Sequence, residues 1–265
     1  MINEEILTTL QNQGIKKGDV LLVSSGVSKF IKNFCEQYEI DYSRKNTNII
    51  LGYFINTLQN LVGKQGTLLF PTYNWEWCRG KRFIYEKTLG ATGYLGNYCL
   101  TRDDFQRTQH PIYSFAVWGK YKDYLISLDN IDSWGVDSPF AFLYKYNAKN
   151  LFINCDTFYT FKHFVEQCVG VKYRYQKFFK SIYEINGMES TREYAMYVRD
   201  LSLNIESDGP ATIRLLFQKK ACKYFDLFFT KCGIIDMRFS YEIIKDDIIN
   251  NYSKNLIKQK YLVEK

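Results

Sequence analysis

The stretch that decides the fold is VLLVSS, residues 20–25, an apolar run that ends in two serines. A continuous apolar run of this length is typical of a strand that is buried on both faces of a sheet. Before it, Ile6 and Leu10 follow helical spacing over residues 3–13, and Gly14 predicts the end of that helix. A helix followed by a buried strand is the first indication of an α/β fold.

The same alternation continues along the chain. Helical spacing returns over residues 47–63, where Thr47 is the predicted N-cap. Buried strands are predicted at residues 66–73 and 150–154, and another helix is predicted to begin near Thr160. Strands that alternate with helices predict the α/β class.

The second half of the chain has a less regular pattern. Residues 181–200 are predicted to form strand or hairpin segments, and residues 208–232 and 240–258 are predicted to be helical. No repeat or linker divides the chain, and only four prolines occur. We therefore expect one domain over residues 1–265, with the part after about residue 180 the least regular.

The composition indicates a cytoplasmic globular protein. Hydrophobic residues make up 46% of the chain and charged residues 24%, which allows a sizeable core. The N-terminal MINEEILTTLQ lacks the apolar segment of a signal peptide, and no stretch has the apolar length of a membrane span. The seven cysteines are odd in number and form no CxxC pair, which argues against a disulfide framework and a zinc site.

The net charge of +7 favours anionic partners such as phosphates. The lysines are dispersed, and the aromatic residues, 17% of the chain, are scattered along its whole length. Both patterns favour solvated faces and packing over a nucleic-acid interface. The sequence leaves the oligomeric state open.

Histidine is scarce, because only His110 and His163 occur. His163 and Glu166 are three positions apart on a predicted helix and therefore share a face. The helix follows a buried strand, and ligands bind near the carboxyl ends of strands in open α/β sheets. A histidine held there by a carboxylate can act as a general base near neutral pH. The alternative for His163 and Glu166 is a pair on the protein surface. His110 is predicted to lie in a loop that enters a strand, and by itself it indicates no function.

Motifs for several other chemistries are missing from the sequence. It contains no dinucleotide-binding GxGxxG, no phosphate-binding P-loop, no HExxH and no GxSxG. A nucleophilic pair of Cys155 and His163 is an alternative, although buried cysteines are common and inert.

Five stretches in one order resemble the aminoglycoside 3-N-acetyltransferase family. They are Gly18 to Ser25, Gly66 to Tyr73, RTQHPIYSFAVWG from Arg107 to Gly119, Ser138-Pro139 with Leu143-Tyr144, and Thr160 to Glu166. Each stretch alone is a weak signal, but all five in order are a strong one. They cover the chain to about residue 180, and a weaker match surrounds Cys232.

The resemblance implies a single α/β domain with a mixed sheet flanked by helices, which differs from the GNAT fold. It implies transfer of an acetyl group, or a similar acyl group, from acetyl-CoA as cosubstrate to an amine, with no metal. The family's histidine base falls on His163, and its carboxylate partner falls on Glu166. No covalent enzyme intermediate is required.

The resemblance also assigns positions to the CoA thioester. The family's His-Ser-Ser turn after the first strand falls on Ser24, Ser25 and Gly26, so that only Ser25 retains the family's residue type. Backbone N–H groups of this turn are expected to polarise the thioester carbonyl, because that task needs donors and not a particular side chain. Four further positions match the CoA side of the family's cleft: Thr72, Arg107, His110 and Ser114.

The acceptor amine leaves alternatives open. Tyr73, Trp75 and Glu76 are expected to line the acceptor pocket, and the alternative is a surface loop with partly buried tryptophans. Aminoglycosides are polycations that need acidic walls, whereas this chain is basic. The charge therefore favours an anionic acceptor such as a nucleotide-linked amino sugar for surface polysaccharide synthesis. The alternatives are an aminoglycoside antibiotic, as in resistance, and a non-catalytic protein that binds CoA or a sugar.

Overall fold

The computed structural model of the chain describes residues 2–156 and 159–259, except for the side chains of residues 2 and 3. The strands of this part are β1 (Val20–Ser25), β2 (Thr67–Pro71), β3 (Phe83–Ile84), β4 (Gln106–Arg107), β5 (Phe115–Gly119), β6 (Lys149–Ile153), β7 (Arg174–Ile185), β8 (Met188–Arg199), β9 (Ile205–Ser207), β10 (Cys222–Leu227), β11 (Thr230–Asp236) and β12 (Ile257–Gln259). The helices are α1 (Ile2–Asn12), α2 (Val27–Gln37), α3 (Arg44–Val62), α4 (Tyr94–Cys99), α5 (Lys122–Ser127), α6 (Pro139–Lys145), α7 (Lys162–Val169), α8 (Gly209–Gln218) and α9 (Met237–Asn250). A short 3-10 helix spans Glu76–Arg79.

The central sheet has seven strands in the order β10-β11-β6-β1-β2-β5-β4. β1 lies in its middle and pairs in parallel with β2 and β6. β5 and β11 run antiparallel to the strands beside them, so the sheet is mixed. This arrangement of a mixed sheet with helices confirms the predicted fold class. Because β1, β2 and β6 are parallel, their carboxyl ends meet at one edge of the sheet.

The two faces of β1 pack into two different cores. Val20 and Leu22 belong to the core that also includes residues of α6, α7, α8 and α9. Leu21 and Val23 belong to the core that includes residues of α1, α2 and α3. Each fully buried leucine or valine side chain contributes about 1.5–3 kcal/mol relative to an exposed one. The apolar run at residues 20–25 is therefore the doubly buried strand that the sequence predicts.

The predicted start of α3 is wrong. The N-cap is Ser43, whose extended backbone lets its hydroxyl accept a hydrogen bond from the Asn46 N–H at 3.3 Å. Thr47 lies inside the helix, where its own N–H donates to the Ser43 carbonyl at 2.9 Å. Both residue types suit an N-cap, and the extended conformation of Ser43 decides between them.

Two predicted helices of the second half are too long. The segment 208–232 forms α8 only as far as Gln218 and then enters the β10–β11 hairpin, which turns at Phe228 and Phe229. β11 pairs with β6, so a partner distant in sequence overrides the local apolar pattern. Likewise, α9 ends at Asn250, and residues 257–259 form β12 against β9. The hairpin predicted at 181–200 is confirmed as part of the longer pair β7–β8.

Within residues 2–156 and 159–259, no helix is long and apolar enough to cross a membrane. All seven cysteines are free. That residues 1–265 form one acyltransferase domain stays a prediction.

Candidate active site

The carboxyl edge of the parallel strands gathers several of the predicted site residues. β1 leads into Gly26 and α2, β2 leads into Thr72 and Tyr73, and β6 leads through a loop to α7. The antiparallel β5 starts at the same edge, where the Thr72 N–H donates to the Ser114 carbonyl at 2.9 Å. The fold thus brings together segments that are far apart in sequence.

His163 and Glu166 share one face of α7, as their spacing predicts. His163 Nδ1 lies 2.6 Å from Glu166 Oε2. The helix is short because Gly170, in the left-handed conformation, ends it. Glu166 is completely buried, whereas the His163 side chain keeps 19% of its surface exposed. The pair is therefore not the surface Glu–His contact that the sequence left as an alternative.

Tyr173 and Arg174, which follow α7 in the chain, also contact the buried carboxylate of Glu166. The Tyr173 hydroxyl donates to Glu166 Oε1 at 3.1 Å, and Arg174 Nε lies 2.7 Å from Oε2. Burial by itself raises the pKa of the Glu166 carboxyl, but His163, Arg174 and Lys162 outweigh it and lower that pKa to about 2. Glu166 is therefore ionised at neutral pH.

The His163 imidazole is neutral at the same pH. Burial is the largest cause that lowers its pKa, the Arg174 guanidinium adds to it, and together they outweigh Glu166 and bring the pKa to about 4. An ionised carboxylate can only accept a hydrogen bond, so Nδ1 carries the imidazole proton. No group of the described residues hydrogen-bonds to Nε2, which then holds a free lone pair, the state that a general base needs.

A cavity of about 390 Å³ lies beside His163. Its walls come from the end of the β6–α7 loop, from α7 and from the start of α8: Tyr159, Thr160, Lys162, His163, Ser207, Gly209 and Pro210. The Trp134 ring packs against the imidazole, with centroids 5.3 Å apart. An imidazole with a free nitrogen therefore lines a space that can hold part of a substrate.

Lys162 is a buried cation in the wall of this cavity. Its ammonium donates to the Leu256 carbonyl at 3.1 Å and lies 3.5 Å from the Thr212 hydroxyl, and both acceptors are neutral. Burial lowers the pKa of the Lys162 ammonium to about 8, so that it is mostly charged at neutral pH. No sequence motif marks Lys162 as a site residue, although it directly precedes His163.

His110 has both ring nitrogens committed to the protein. Its Nδ1 accepts hydrogen bonds from the Ile112 and Tyr113 N–H groups at 3.2 and 3.1 Å. Nδ1 is thus unprotonated, and the Nε2–H faces the Ser133 hydroxyl at 3.4 Å. Burial lowers the pKa of His110 to about 3. The side chain, 1% exposed, holds the turn that leads into β5.

The serine turn after β1 is also partly engaged. The Ser24 hydroxyl donates to Asn150 Oδ1 at 3.1 Å, and the Gly26 N–H donates to the Ile153 carbonyl at 2.8 Å. In this conformation the Gly26 amide already has an acceptor, and the expectation that turn amides polarise the thioester stays a prediction. A Cβ at Gly26 would lie 2.9 Å from the Asn154 carbonyl oxygen, so the close approach of two chain segments explains the glycine. Ser25 is half-buried at the strand end.

The other residues assigned to CoA are buried. Thr72 and Ser114 share a hydrogen bond between their hydroxyls at 2.8 Å. Arg107 is 4% exposed, donates from Nη1 to the Tyr85 carbonyl at 3.1 Å and lies over the Phe83 ring. In this conformation their side chains contact protein groups, and their assignment to CoA stays a prediction.

Two of the residues assigned to the acceptor, Tyr73 and Trp75, connect to His163 through edge-on and tilted ring contacts. Tyr73 is buried and packs on Tyr113, with centroids 4.7 Å apart, and Tyr113 packs on Trp134 at 4.8 Å. Trp75 is exposed and donates from Nε1 to the Tyr113 hydroxyl at 3.3 Å. Glu76 forms an ion pair with Arg79 in the 3-10 helix.

Burial raises the pKa of the Cys155 thiol to about 11, so it is protonated at neutral pH. This speaks against the alternative of a Cys155 nucleophile. The described residues contain no group of three or more histidine, cysteine, aspartate or glutamate side chains that could hold a metal ion.

Sequence reasoning missed Trp134, Tyr173 and Arg174. Trp134 is distant from His163 in sequence and reaches it only through tertiary packing. Tyr173 and Arg174 follow soon after α7, but the left-handed Gly170 and the start of β7 bring them back onto Glu166. The position of Tyr173 and Arg174 just after the predicted helix was the one sequence signal that could have indicated a contact with Glu166.

A family model described as aminoglycoside 3-N-acetyltransferase matches residues 52–245, which is most of the chain. The chain belongs to this family. Membership confirms the prediction of an acetyl-CoA-dependent N-acetyltransferase with acetyl-CoA as cosubstrate. No curated protein sequence matches the chain significantly.

Solved structures with the same fold extend over nearly the whole chain. AAC-IIIb in a binary complex with CoASH superposes with a TM-score of 0.79 at 14% identity, covering 95% of this chain and 97% of that one. The YokD protein from Bacillus subtilis has a TM-score of 0.74 at 18% identity, covering 95% and 100%. AAC-VIa bound to sisomicin has a TM-score of 0.74 at 13% identity, covering 95% and 98%. At these identities the likeness confirms the fold.

Proposed function

We propose that the chain acetylates an amine of an aminoglycoside-type amino sugar, with His163 as the general base and Glu166 as its carboxylate partner. The observation that carries the proposal is the neutral imidazole, held through Nδ1 by a buried carboxylate, in the wall of a cavity at the carboxyl edge of the sheet. An amine that is protonated cannot attack a thioester, so a base beside the acceptor is a chemical necessity.

The proposed reaction is a direct transfer. The acceptor nitrogen bonds to the thioester carbonyl carbon while His163 Nε2 takes a proton from that nitrogen. Glu166 stabilises the imidazolium that forms, because its Oε2 already holds the Nδ1–H. The bond between carbon and sulfur then breaks, and the CoA thiolate receives the proton that His163 took, which returns the imidazole to its neutral form. The products are the amide and free CoA, with no covalent bond to the protein.

We further propose that α2 helps to bind the CoA moiety. α2 starts directly after Ser25 and Gly26, and its N-cap Gly26 provides no side-chain hydrogen bond to the first turn. A cavity of about 350 Å³ lies at this end, between the starts of α2 and α3, and Ser28, Arg44 and Tyr94 contribute to its walls. Helix N-termini and arginines both suit phosphate groups.

The family favours an aminoglycoside acceptor over the nucleotide-linked amino sugar that the charge of the chain suggested. The family is named for aminoglycosides, and the relative AAC-VIa binds sisomicin. One observation favours the anionic acceptor as the second candidate, because Lys162 places a cation in the cavity wall beside His163. A polycation is repelled by this charge, whereas a carboxylate or phosphate on the acceptor is attracted.

The test is release of free thiol from acetyl-CoA with purified protein and a panel of acceptors. The panel contains aminoglycosides such as sisomicin, simple amino sugars and nucleotide-linked amino sugars. We expect turnover with at least one aminoglycoside and none with the His163→Asn variant. Turnover restricted to nucleotide-linked sugars would replace the first acceptor by the second, and no turnover with any amine would overturn the proposed acceptor classes.

Lys162 offers a sharper test of acceptor charge. In Lys162→Met the ratio of kcat/KM for a cationic acceptor to that for an anionic acceptor is expected to rise about tenfold. The control is Lys149→Met, which removes a lysine that pairs with Asp19 at 2.5 Å. An unchanged ratio in Lys162→Met would remove the support for an anionic acceptor.

A further inference from the structure

Arg174, the first residue of β7, is the charged group that most directly touches the His163–Glu166 pair. Its side chain is only 8% exposed, and its Nη1 donates to the Tyr197 carbonyl on β8 at 3.0 Å. The long β7–β8 hairpin thus fixes the guanidinium from one side. From the other side, the guanidinium faces α7.

Arg174 and His163 meet at the same carboxylate oxygen. Arg174 Nε lies 2.7 Å from Glu166 Oε2, and His163 Nδ1 lies 2.6 Å from that oxygen. The second oxygen, Oε1, accepts the hydrogen bond of the Tyr173 hydroxyl. The Arg174 contact is an ion pair in which Nε is not aligned for a hydrogen bond, and rotation of the carboxylate would break its contact with His163 or with Tyr173. These contacts fix the orientation of the Glu166 carboxylate and therefore the orientation of the His163 imidazole that it holds.

The charges of this buried group oppose protonation of the imidazole. Glu166 is ionised, and the cations of Arg174 and Lys162 already exceed its single negative charge. A proton on His163 would add a second net positive charge in a space with little solvent. Two other carboxylates in this region have partners of their own: Asp132 accepts a hydrogen bond from Gln167 of α7, and Asp208 caps α8. Tyr173 is neutral, and Trp134 carries no charge.

We propose that Arg174 is a positioning residue, which shares the Glu166 carboxylate with His163 and so keeps the imidazole oriented and neutral for acetyl transfer. Without Arg174, the carboxylate acts on His163 alone, and the imidazole binds a proton at higher pH. The base is then protonated over a wider part of the acidic range, while the thioester and acceptor sites are untouched. The inference depends on the proposed function only in taking His163 as the base.

The experiment measures the imidazole directly and the reaction separately. Because the chain has only two histidines, nuclear magnetic resonance of ¹⁵N-labelled imidazoles resolves each titration, and His110→Asn assigns the two. The variants are Arg174→Gln, Arg174→Lys and the control Arg199→Gln, whose arginine pairs with Arg174 across the hairpin. The pH dependence of kcat/KM and the KM for acetyl-CoA are measured for each variant.

In the unmodified chain, His163 is expected to titrate below the ordinary value of about 6.5. Arg174→Gln is expected to raise that pKa by about one unit or more, whereas Arg174→Lys and Arg199→Gln leave it within about half a unit. The acidic limb of the kcat/KM profile moves up by the same amount in Arg174→Gln, with an unchanged KM for acetyl-CoA.

A His163 pKa at or above the ordinary value in the unmodified chain would overturn the inference, even if Arg174→Gln fails to fold. An unshifted titration in a folded Arg174→Gln variant would overturn it as well. A shifted titration with an unshifted kcat/KM profile would support the effect of Arg174 on the imidazole and remove His163 as the base, so the two proposals fail separately.

Discussion

His110 and His163 both contact the loop between α5 and α6, residues 128–138, although they lie on different elements. The Ser133 hydroxyl faces His110, and the next residue, Trp134, packs its ring on His163. Burial lowers the pKa of both imidazoles, to about 3 for His110 and about 4 for His163. Both are therefore neutral at physiological pH.

The difference between the two histidines lies in the second nitrogen. His110 uses Nδ1 to hold two backbone amides and Nε2 to face a hydroxyl, so that neither nitrogen is left for a substrate. Within the part of the chain that the structure describes, His163 commits Nδ1 alone, to a buried carboxylate, and it lines a cavity. A lowered pKa alone does not mark a base; a free lone pair that a substrate can reach does.

The largest expected effect comes from removing that lone pair. His163→Asn keeps a donor for Glu166 in place of Nδ1–H but has no basic nitrogen. We expect kcat to fall by about 10²–10⁴-fold, because this is the usual contribution of a positioned general base. Initial rates of thiol release give kcat, and calorimetric titration gives the affinity for CoA, which is expected to be unchanged.

Turnover of His163→Asn within about tenfold of the unmodified chain would remove His163 from the mechanism. An equally large fall of kcat in His110→Asn would contradict the assignment of the base to His163 and not to His110.

The next effect concerns stability at the other histidine. His110→Ala leaves the buried Ile112 and Tyr113 amides without their acceptor, which is expected to lower the free energy of unfolding by about 2–4 kcal/mol. His110→Asn is expected to lose less, because its amide oxygen can replace Nδ1. Urea unfolding curves measure both, and kcat per folded molecule is expected to stay within about threefold. Equal losses in the two variants would contradict the role of Nδ1 as an acceptor.

Acid should destabilise the fold through both imidazoles. In the unfolded chain each histidine titrates near about 6.5, far above its value in the fold. Between pH 6.5 and about 4 the unfolded chain binds more protons than the native one, so the free energy of unfolding falls as the pH is lowered. Each histidine contributes at most about 1.4 kcal/mol per pH unit.

His110→Asn removes one of these two contributions. Unfolding measured in urea at several pH values should therefore show a shallower dependence in this variant between pH 4 and 6.5. The same dependence as in the unmodified chain would mean that His110 binds protons in the folded state as readily as in the unfolded one.

The smallest effect is expected at Ser24, whose hydroxyl is engaged internally as His110 is. Ser24→Ala loses the hydrogen bond to the buried Asn150 and is expected to cost about 1 kcal/mol of unfolding free energy. The KM for acetyl-CoA is expected to change less than about twofold, since the hydroxyl already has a partner. A KM raised tenfold, with stability unchanged, would instead place Ser24 on the CoA thioester, as the family resemblance implies.

The sequence by itself determined the elements whose signal is local. The apolar run at residues 20–25 predicts a strand buried on both faces, because only such a strand lacks alternation. The spacing of His163 and Glu166 predicts their contact, because residues three apart on a helix share a face. The ordered motifs around them also indicated the family, which its model confirms.

Only the tertiary structure decided what depends on partners distant in the chain. The β10–β11 hairpin exists because β11 pairs with β6, and no local pattern between residues 208 and 232 indicated it. The roles of Arg174, Lys162 and Trp134 likewise arise where the hairpin, the cavity wall and the loop meet α7. Burial and charge in that shared space set the protonation of His163, and neither can be read from the residues beside it in sequence.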